Sequence, residues 1–282
     1  MGYQDLLLAV VSYPDVTPPK ALAQAATLAR RLGGAVTVLA LEADIPEMRN
    51  RLANALIGLD DIARDVEARS HVQARESAQA FIEAAAREGL SANAVVERAP
   101  LYAESELICG HARTRDLCLM SIGPAVLADV AIAEAVLFGS GRPVVVFPEA
   151  GESTAGPTFG TVAVAWDGSR TAARAVADAL PALKEAREVR ILTVTEEKPS
   201  AKAGAAGALV RHLRLHGVEP QVDEVSAAGE PIGRVLRDYV AARSVDLLVM
   251  GGFGHSRARE FVLGGATASV LEQPPCAILM SH

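Results

Sequence analysis

The fold of this chain is decided by the stretch Val245-Asp246-Leu247-Leu248-Val249-Met250, which continues directly into Gly251-Gly252-Phe253-Gly254. The apolar run is typical of a buried strand in a parallel sheet. Gly-x-x-Gly after such a strand lets backbone N–H groups approach phosphate oxygens closely, because glycine permits positive φ and carries no side chain. Gly264 follows after nine residues, and residues 265–272 have a helical pattern. This order of strand, loop and helix predicts a nucleotide-binding loop.

Composition restricts the class of protein. A chain of 282 residues is long enough for about two domains, and 50% apolar with 22% charged residues is ordinary for a protein with a buried core. The net charge of −7 argues against extended contact with a nucleic-acid backbone. The apolar run at residues 6–11 is too short to span a membrane, and no basic segment precedes it. We therefore expect a cytoplasmic protein that binds neither nucleic acid nor membrane.

Two groups of potential metal or redox ligands have simpler interpretations. The cysteines Cys109, Cys118 and Cys276 lie in apolar or helical surroundings and lack metal-ligand spacing, so we interpret them as reduced core residues. His212 and His216 have the i, i+4 spacing of a metal-binding helix. They lack an adjacent glutamate and a third ligand, which favours a polar helix face, and no metal site is predicted.

Strand and helix patterns alternate along the whole chain, with five strand-like runs in each half. This alternation predicts an α/β fold with two tandem open parallel five-stranded sheets, each covered by helices on both faces. Asp116-Leu117-Cys118-Leu119-Met120 parallels Asp246-Leu247-Leu248-Val249-Met250. We therefore interpret the chain as a tandem of one domain.

Domain boundaries follow from a short stretch of small, polar and turn-forming residues at positions 149–157. The predicted domains are residues 1–149 and 157–282. The first half carries a longer region between its second and third strands, residues 42–88, in which Ala78, Phe81, Ile82 and Ala85 have helical spacing. This spacing predicts a long amphipathic helix that either covers the sheet or serves as a lid or partner surface.

Ligands of open parallel α/β sheets bind beyond the carboxyl ends of the strands, where the strand order reverses. For the order 3-2-1-4-5 this point lies between strands one and four. In the second half, strand one ends at Trp166-Asp167-Gly168-Ser169 and strand four ends at Gly251. We expect the two loops to meet in one crevice. Simpler roles are also open, because Asp167 or Ser169 could cap the next helix and the glycines could serve only as turn residues.

The motif Val164-Ala165-Trp166-Asp167-Gly168-Ser169, with the spacing of Gly251, Gly254 and Gly264, resembles the universal stress protein family. The segments around residues 254–257 and 261–267 resemble its tandem bacterial members. The resemblance implies ATP-binding domains of strand order 3-2-1-4-5, with or without Mg²⁺, whose fifth strands pair. It implies that Asp167 contacts the adenine or ribose, that Gly251 and Gly254 contact the phosphates, and that Gly264 lies at a helix start facing them.

The chain departs from the family pattern directly after the third glycine. The family has Ser or Thr there and this chain has Gly265, which removes a hydroxyl donor to phosphate. Thr267 or Ser269 in the first helical turn is a candidate replacement. His255, like Arg257 and Arg259, either reaches phosphate or is solvated. We expect weaker or altered binding rather than none.

The first half lacks the motif. Its fourth strand is followed by Ser121-Ile122-Gly123-Pro124, where the second phosphate glycine is absent and proline removes a backbone donor. Its first strand ends at Ser12-Tyr13-Pro14-Asp15 instead of Asp-Gly-Ser. We therefore predict a degenerate domain that does not bind ATP through this loop.

The last strands of the two halves, at residues 144–147 and 277–280, are apolar and would be hazardous as exposed edges. We predict that they pair with each other within the chain. Self-association into a homodimer through the helical faces is a further arrangement that the sequence allows.

Three functions are compatible with this sequence. The first is an ATP-binding stress or signalling regulator in which the adenine nucleotide controls contact with an unidentified protein partner. The sequence shows no Gly-Lys-Ser/Thr loop or acidic metal pair for phosphoryl transfer. The second is a scaffold of the same fold that binds no nucleotide, which Gly265 favours. The third and weakest is a slow ATPase.

Overall fold

The structure, a computed structural model, describes residues 2–45, 59–124, 127–150, 157–195, 206–252 and 265–282. In this part of the chain ten strands form one sheet. The strands are β1 Asp5–Val11, β2 Ala35–Asp44, β3 Ala92–Pro100, β4 Leu117–Ile122, β5 Val144–Pro148, β6 Thr161–Ala165, β7 Glu188–Thr195, β8 Pro220–Ser226, β9 Leu247–Gly251 and β10 Ala277–Ser281. The helices are α1 Pro19–Leu32, α2 Leu59–Arg87, α3 Glu104–Ala112, α4 Leu127–Gly139, α5 Arg170–Glu185, α6 Gly207–Leu215, α7 Ile232–Arg243 and α8 Ala266–Glu272.

The strand order confirms the predicted fold class. It is β3-β2-β1-β4-β5-β10-β9-β6-β7-β8, so each half has the order 3-2-1-4-5 counted from its own first strand. Neighbouring strands within each half are parallel. The one refinement is that the two five-stranded sheets are continuous with each other.

The two half-sheets join through their last strands, as predicted. Strands β5 and β10 pair antiparallel, with Val145 opposite Leu279 and Val146 opposite Ile278. All four residues are fully buried. Side chains alternate between the two faces of a strand, so Val145 and Leu279 belong to one apolar core and Val146 and Ile278 to the other. Both cores therefore run without interruption through the two halves.

Helices from the two halves also pack across this joint. On one face α1 contacts α5, and on the other α4 contacts α8. The hydroxyl group of Tyr3 donates to the carbonyl oxygen of Asp178 at 2.7 Å, and the guanidinium carbon of Arg31 lies 5.6 Å from the ring centre of Phe159. The halves are therefore in contact through side chains as well as through the sheet.

Each half contains the same carboxylate clamp. The Oδ2 atom of Asp116 accepts the backbone N–H groups of Gln4 and Asp5 at 2.6 and 3.0 Å, which fixes the start of β1 beside β4. Asp246 makes the same pair of bonds, at 2.6 and 2.9 Å, to two amides at the start of β6. The two aspartates occupy equivalent places in the sequence parallel noted above, and they perform equivalent structural roles.

The predicted long helix in the first half is confirmed as α2, which packs on α1 and on strands β1 to β3. Ala78, Phe81 and Ala85 are buried against the sheet, and Ile82 is partly buried, which favours the covering role for this part of the helix. Arg98 on β3 pairs with Glu67 of α2 at 2.7 Å and thereby ties the helix to the sheet. Residues 46–58 of this region lie outside the described residues.

Two elements differ from the sequence-based expectation. Strand β3, predicted at residues 94–96, extends over nine residues because it pairs with β2 from Ala92 to Pro100 although it lies at the sheet edge. Helix α4 was not predicted. Its sequence is mostly apolar, with Asp129 and Glu134 as charged residues, and has only a weak amphipathic period. The helix packs on α3, β4 and β5 and also on α8 of the other half.

The clamp at Asp246 makes a prediction about stability. Asp246→Ala leaves two backbone amides at the start of β6 without their carboxylate acceptor. We expect the free energy of unfolding to fall by about 2–4 kcal/mol, measured by urea denaturation. The control is Asp238→Ala, an exposed carboxylate on α7, which should change stability by less than about 0.5 kcal/mol. Equal changes in the free energy of unfolding for the two substitutions would contradict this role of Asp246.

Candidate functional site

The loop after β6 forms one wall of the candidate site. Gly168 has φ of +73°, a left-handed conformation that favours glycine. This turn lets Asp167 Oδ1 accept the backbone N–H of Ser169 at 2.9 Å. The hydroxyl of Ser169 accepts the N–H of Ala172 at 3.1 Å and caps α5. The capping role considered for Ser169 is therefore confirmed, and Asp167 stands at the mouth of the crevice, partly exposed, with one oxygen bound to the loop.

The end of β9 forms the opposite wall and touches the first. A Cβ atom on Gly251 would lie only 2.5 Å from the backbone nitrogen of Ala172 and from Oγ1 of Thr171. Only glycine fits there without displacing the start of α5. The loops after strands one and four of this half therefore converge, as predicted, and Gly251 is required by packing whether or not a ligand binds.

The start of α8 contributes Gly265 and Thr267. Gly265 is the N-cap residue and makes no side-chain cap bond, and none of the described residues lies within 4 Å of the place where a Cβ would stand. Thr267 is buried in the first turn. The guanidinium of Arg237 donates to both the hydroxyl and the carbonyl of Ser269, at 2.8 and 3.1 Å. Of the two hydroxyls considered as phosphate donors, that of Ser269 is thus turned toward α7.

Several candidate residues cannot be placed in this geometry. Gly254, His255 and Gly264 lie outside the described residues, as do Arg257 and Arg259. Among the described candidates, the structure brings Gly251 into contact with the start of the helix that follows the Asp167 loop, whereas α8 packs on α7 and α4.

The equivalent crevice of the first half differs at its central position. The clamps align Asp5 with Thr161, and this register aligns Val11 with Asp167. The acidic residue at the strand end is thus replaced by an apolar one. At this position the first half therefore offers no carboxylate to a ligand that needs one.

Carboxylates fill the rest of the first-half crevice. The backbone N–H of Gly123, in the loop after β4, donates to Oδ2 of Asp129 in α4 at 3.0 Å. Glu149, just beyond β5, accepts the hydroxyl of Ser121 at 3.0 Å. Burial raises the pKa values of the Asp129 and Glu149 carboxyl groups above their usual range, and the negative charge of Asp15 raises both pKa values further. An internal carboxyl group therefore already occupies the loop amide of this crevice.

Another acidic group of the first half lies near the carboxyl end of β3. Glu104, the first residue of α3, is only 5% exposed. Burial raises the pKa of its carboxyl group to about 7. The amino-terminal half therefore carries a carboxyl group that titrates near neutral pH.

Three further observations bear on the site's chemistry. Among the described residues, no group of three or more His, Cys, Asp or Glu side chains is arranged to hold a metal ion. The rings of His212 and His216 contact each other edge to face, with 4.7 Å between centres. No described helix has both the length and the apolar character needed to cross a membrane.

The converging glycine-rich crevice coincides with a recognised domain. Residues 158–282 match the model described as Universal stress protein family. The carboxy-terminal half of this chain is a universal stress protein domain. Asp167, Gly251, Gly265 and Thr267 all lie within this universal stress protein domain. A comparison with the sequences of curated proteins gave no match.

Solved structures share the architecture of the whole chain. A universal stress protein from Archaeoglobus fulgidus DSM 4304 matches with a TM-score of 0.67 and 18% identity, over 98% of this chain and 95% of that one. A putative universal stress protein from Pseudomonas aeruginosa UCBPP-PA14 has a TM-score of 0.53 and 15% identity, over 99% of this chain and 93% of that one. The amino-terminal half therefore shares the fold. A universal stress protein from Archaeoglobus fulgidus in complex with dAMP matches over 52% of this chain and 98% of that one, with 17% identity and a TM-score of 0.32.

Two features of the crevices escaped the sequence analysis. One is the carboxylate of Asp129, which lies on the unpredicted helix α4 and could be found only once that helix was known. The other is the contact between Leu137 of the first half and Gly252. The sequence did contain a sign of this contact. When Met120 is aligned with Met250, Ile122 is aligned with Gly252, which marks a position where the two halves pack differently.

The buried Glu104 generates a prediction about pH. The native state keeps this proton between about pH 4.5 and 7, where the unfolded chain has lost it, so native stability falls as pH rises through that interval. The loss attributable to this group is roughly 3 kcal/mol. Glu104→Gln should therefore match the wild type at pH 4 and exceed it by about that amount at pH 8, measured by urea denaturation.

The matched control for this prediction is Glu106→Gln on the same helix. Its carboxylate is 74% exposed and pairs with Arg113 at 3.3 Å, so the substitution should leave the pH dependence of stability unchanged. A Glu104→Gln variant whose stability follows the wild-type curve at every pH would show that the buried carboxyl does not titrate near neutrality.

Proposed function

We propose that this protein is a nucleotide-responsive stress or signalling regulator whose universal stress protein domain, residues 157–282, binds ATP. Residues 1–149 form a degenerate domain of the same fold that binds no nucleotide through its loop. The protein carries out no chemical step on the nucleotide. Binding instead adjusts the conformation of the two-domain unit and its contact with a protein partner.

The observation that carries this proposal is the contact between Gly251 and the start of α5. It brings the strand-four loop within van der Waals distance of the loop that holds Asp167, at the carboxyl edge of the sheet where its order reverses. A carboxylate on one side and bare glycine backbone on the other suit the ribose end and the phosphate end of a nucleotide. The family match of the same residues supports this assignment.

The difference between the halves supports a single nucleotide per chain. In the first half, Val11 stands at the position of Asp167, and Asp129 binds the loop amide that a phosphate would need. The nearby Glu149 and Asp15 add negative charge. A polyphosphate would have to displace one carboxylate and approach the others, which is electrostatically unfavourable.

Calorimetric titration with ATP, with and without MgCl₂, tests this proposal. We expect a stoichiometry of about one per chain and binding about tenfold weaker in Asp167→Asn, since a charge-assisted hydrogen bond contributes roughly 1.5–3 kcal/mol. The asparagine can still accept the Ser169 N–H, so the loop should keep its shape. Asp15→Asn, the matched acidic residue beyond strand one of the first half, should leave affinity unchanged.

Two results would contradict the proposal in different ways. Absence of binding at millimolar ATP would exclude the nucleotide site itself. A stoichiometry of two, or weakened binding in Asp15→Asn, would instead show that the first half binds nucleotide as well. If the isosteric Asp167→Asn variant binds ATP like the wild type, the carboxylate of Asp167 does not contribute to the site.

A second function, a scaffold of this fold that binds no nucleotide, is favoured by one observation. Gly265 stands where the family has Ser or Thr, and the hydroxyl of Ser269 is engaged by Arg237. The phosphate end of the site therefore lacks the hydroxyl donor that the family has at the position of Gly265, and Ser269 does not replace it because its hydroxyl is turned toward α7. Nucleotide released from purified protein on denaturation, identified by mass, distinguishes the two functions, because a scaffold should release none.

The same position gives a direct test of the phosphate contact. Since a Cβ on Gly265 meets no neighbouring atom, Gly265→Ser should fold normally and restore the hydroxyl. We expect ATP to bind about tenfold more tightly. Gly265→Ala adds the same carbon without the hydroxyl and should not tighten binding, which separates phosphate contact from any change in the backbone. Equal affinities of the two variants would exclude a phosphate contact at this position.

A further inference from the structure

The first residue of the loop after β9 is held by contacts from several directions. Gly252 is buried, and its N–H donates to the carbonyl oxygen of Ser281 at 2.8 Å. Its own carbonyl oxygen lies 3.1 Å from Nδ1 of His282, which is therefore the donor of that bond. A Cβ on Gly252 would lie 2.6 Å from Cδ2 of Leu137. The last contact comes from the amino-terminal half.

The neighbouring residue of α4 completes the contact. The ring of Phe138 meets the ring of His282 edge to face, with 4.6 Å between centres and 68° between planes. Two successive residues in the last turn of α4 thus brace Gly252, one directly and one through the imidazole that binds its carbonyl. Gly252 adjoins Gly251, whose backbone packs on the start of α5 in the candidate nucleotide crevice.

The other end of α4 is fixed in the first-half crevice. Asp129 in its first turn accepts the N–H of Gly123, in the loop after β4. One helix therefore links the strand-four loops of the two halves. Displacement of α4 at its Asp129 end would therefore be transmitted to Leu137 and Phe138, which touch residues of the other half, because packed interiors do not compress.

We propose that Leu137 and Phe138 of the amino-terminal half are positioning residues for the nucleotide site of the universal stress protein domain. This inference rests on the ATP-binding function proposed above. The degenerate half thereby sets the position of the Gly251-Gly252 backbone and hence the affinity of the other half. By thermodynamic reciprocity, nucleotide binding in turn shifts α4 and the surface of the first half.

A double-substitution cycle tests the direct contact. Gly252→Ala places a methyl group against Leu137 and should weaken ATP binding about tenfold. Leu137→Ala vacates that space, so the double variant should bind within about threefold of Leu137→Ala alone. Phe138→Ala, which removes a half-buried ring, should weaken binding and raise the hydrogen-exchange rate of the Gly252 amide several-fold. The matched control is Val136→Ala, a buried residue of the same turn whose loss should lower stability without changing ATP affinity.

Each outcome decides the proposal. Loss of the Gly252→Ala effect in the Leu137→Ala background, with Gly252 exchange raised by Phe138→Ala and not by Val136→Ala, supports it. Additive losses, or equal effects of Phe138→Ala and Val136→Ala on exchange and affinity, overturn it. Should the wild-type protein bind no ATP, the proposed function fails, and the exchange rate of the Gly252 amide still decides whether α4 positions this backbone.

Discussion

The antiparallel pairing of β5 with β10 is the interaction on which the rest of the structure depends. Both strands are apolar on both faces, and each would be an unpaired edge in a separate half. Pairing satisfies their backbone groups and buries Val and Leu side chains that contribute about 1.5–3 kcal/mol each when removed from water. It also turns two cores into continuous layers, so that helices of one half lie against those of the other.

This joint holds the two halves in a common frame although their loops differ. The residues that set the frame are retained in both, as the equivalent bonds of Asp116 and Asp246 show. Differences accumulate instead at the carboxyl edge of the sheet. There the second half presents Asp167 and a glycine backbone, whereas the first presents Val11 and the carboxylate of Asp129. Both edges belong to one sheet, so a change in one half has a physical route to the other.

The sequence analysis succeeded where the information was local. Strand and helix patterns, including the long helix α2, were predicted from periodicity. The pairing of the last strands was predicted from their apolar edges. Whether α2 covers the sheet was left open until the structure placed Phe81 in the core. Helix α4 was not predicted, because its mostly apolar sequence has only a weak amphipathic period. The extent of β3 was underestimated, since its pairing with β2 rather than its own hydrophobicity determines its length.

The sequence by itself determined the fold class, the like series of strands and helices in the two halves and the convergence of the Asp167 and Gly251 loops, because strand order and glycine spacing fix which chain segments meet at the edge of a parallel sheet. Only the tertiary structure decided what each of these residues touches. Gly251 is glycine because α5 approaches it, Ser269 is turned toward Arg237, and Gly252 lies under Leu137 from the other half. These contacts join residues distant in sequence, and their geometry arises from packing that local patterns do not encode.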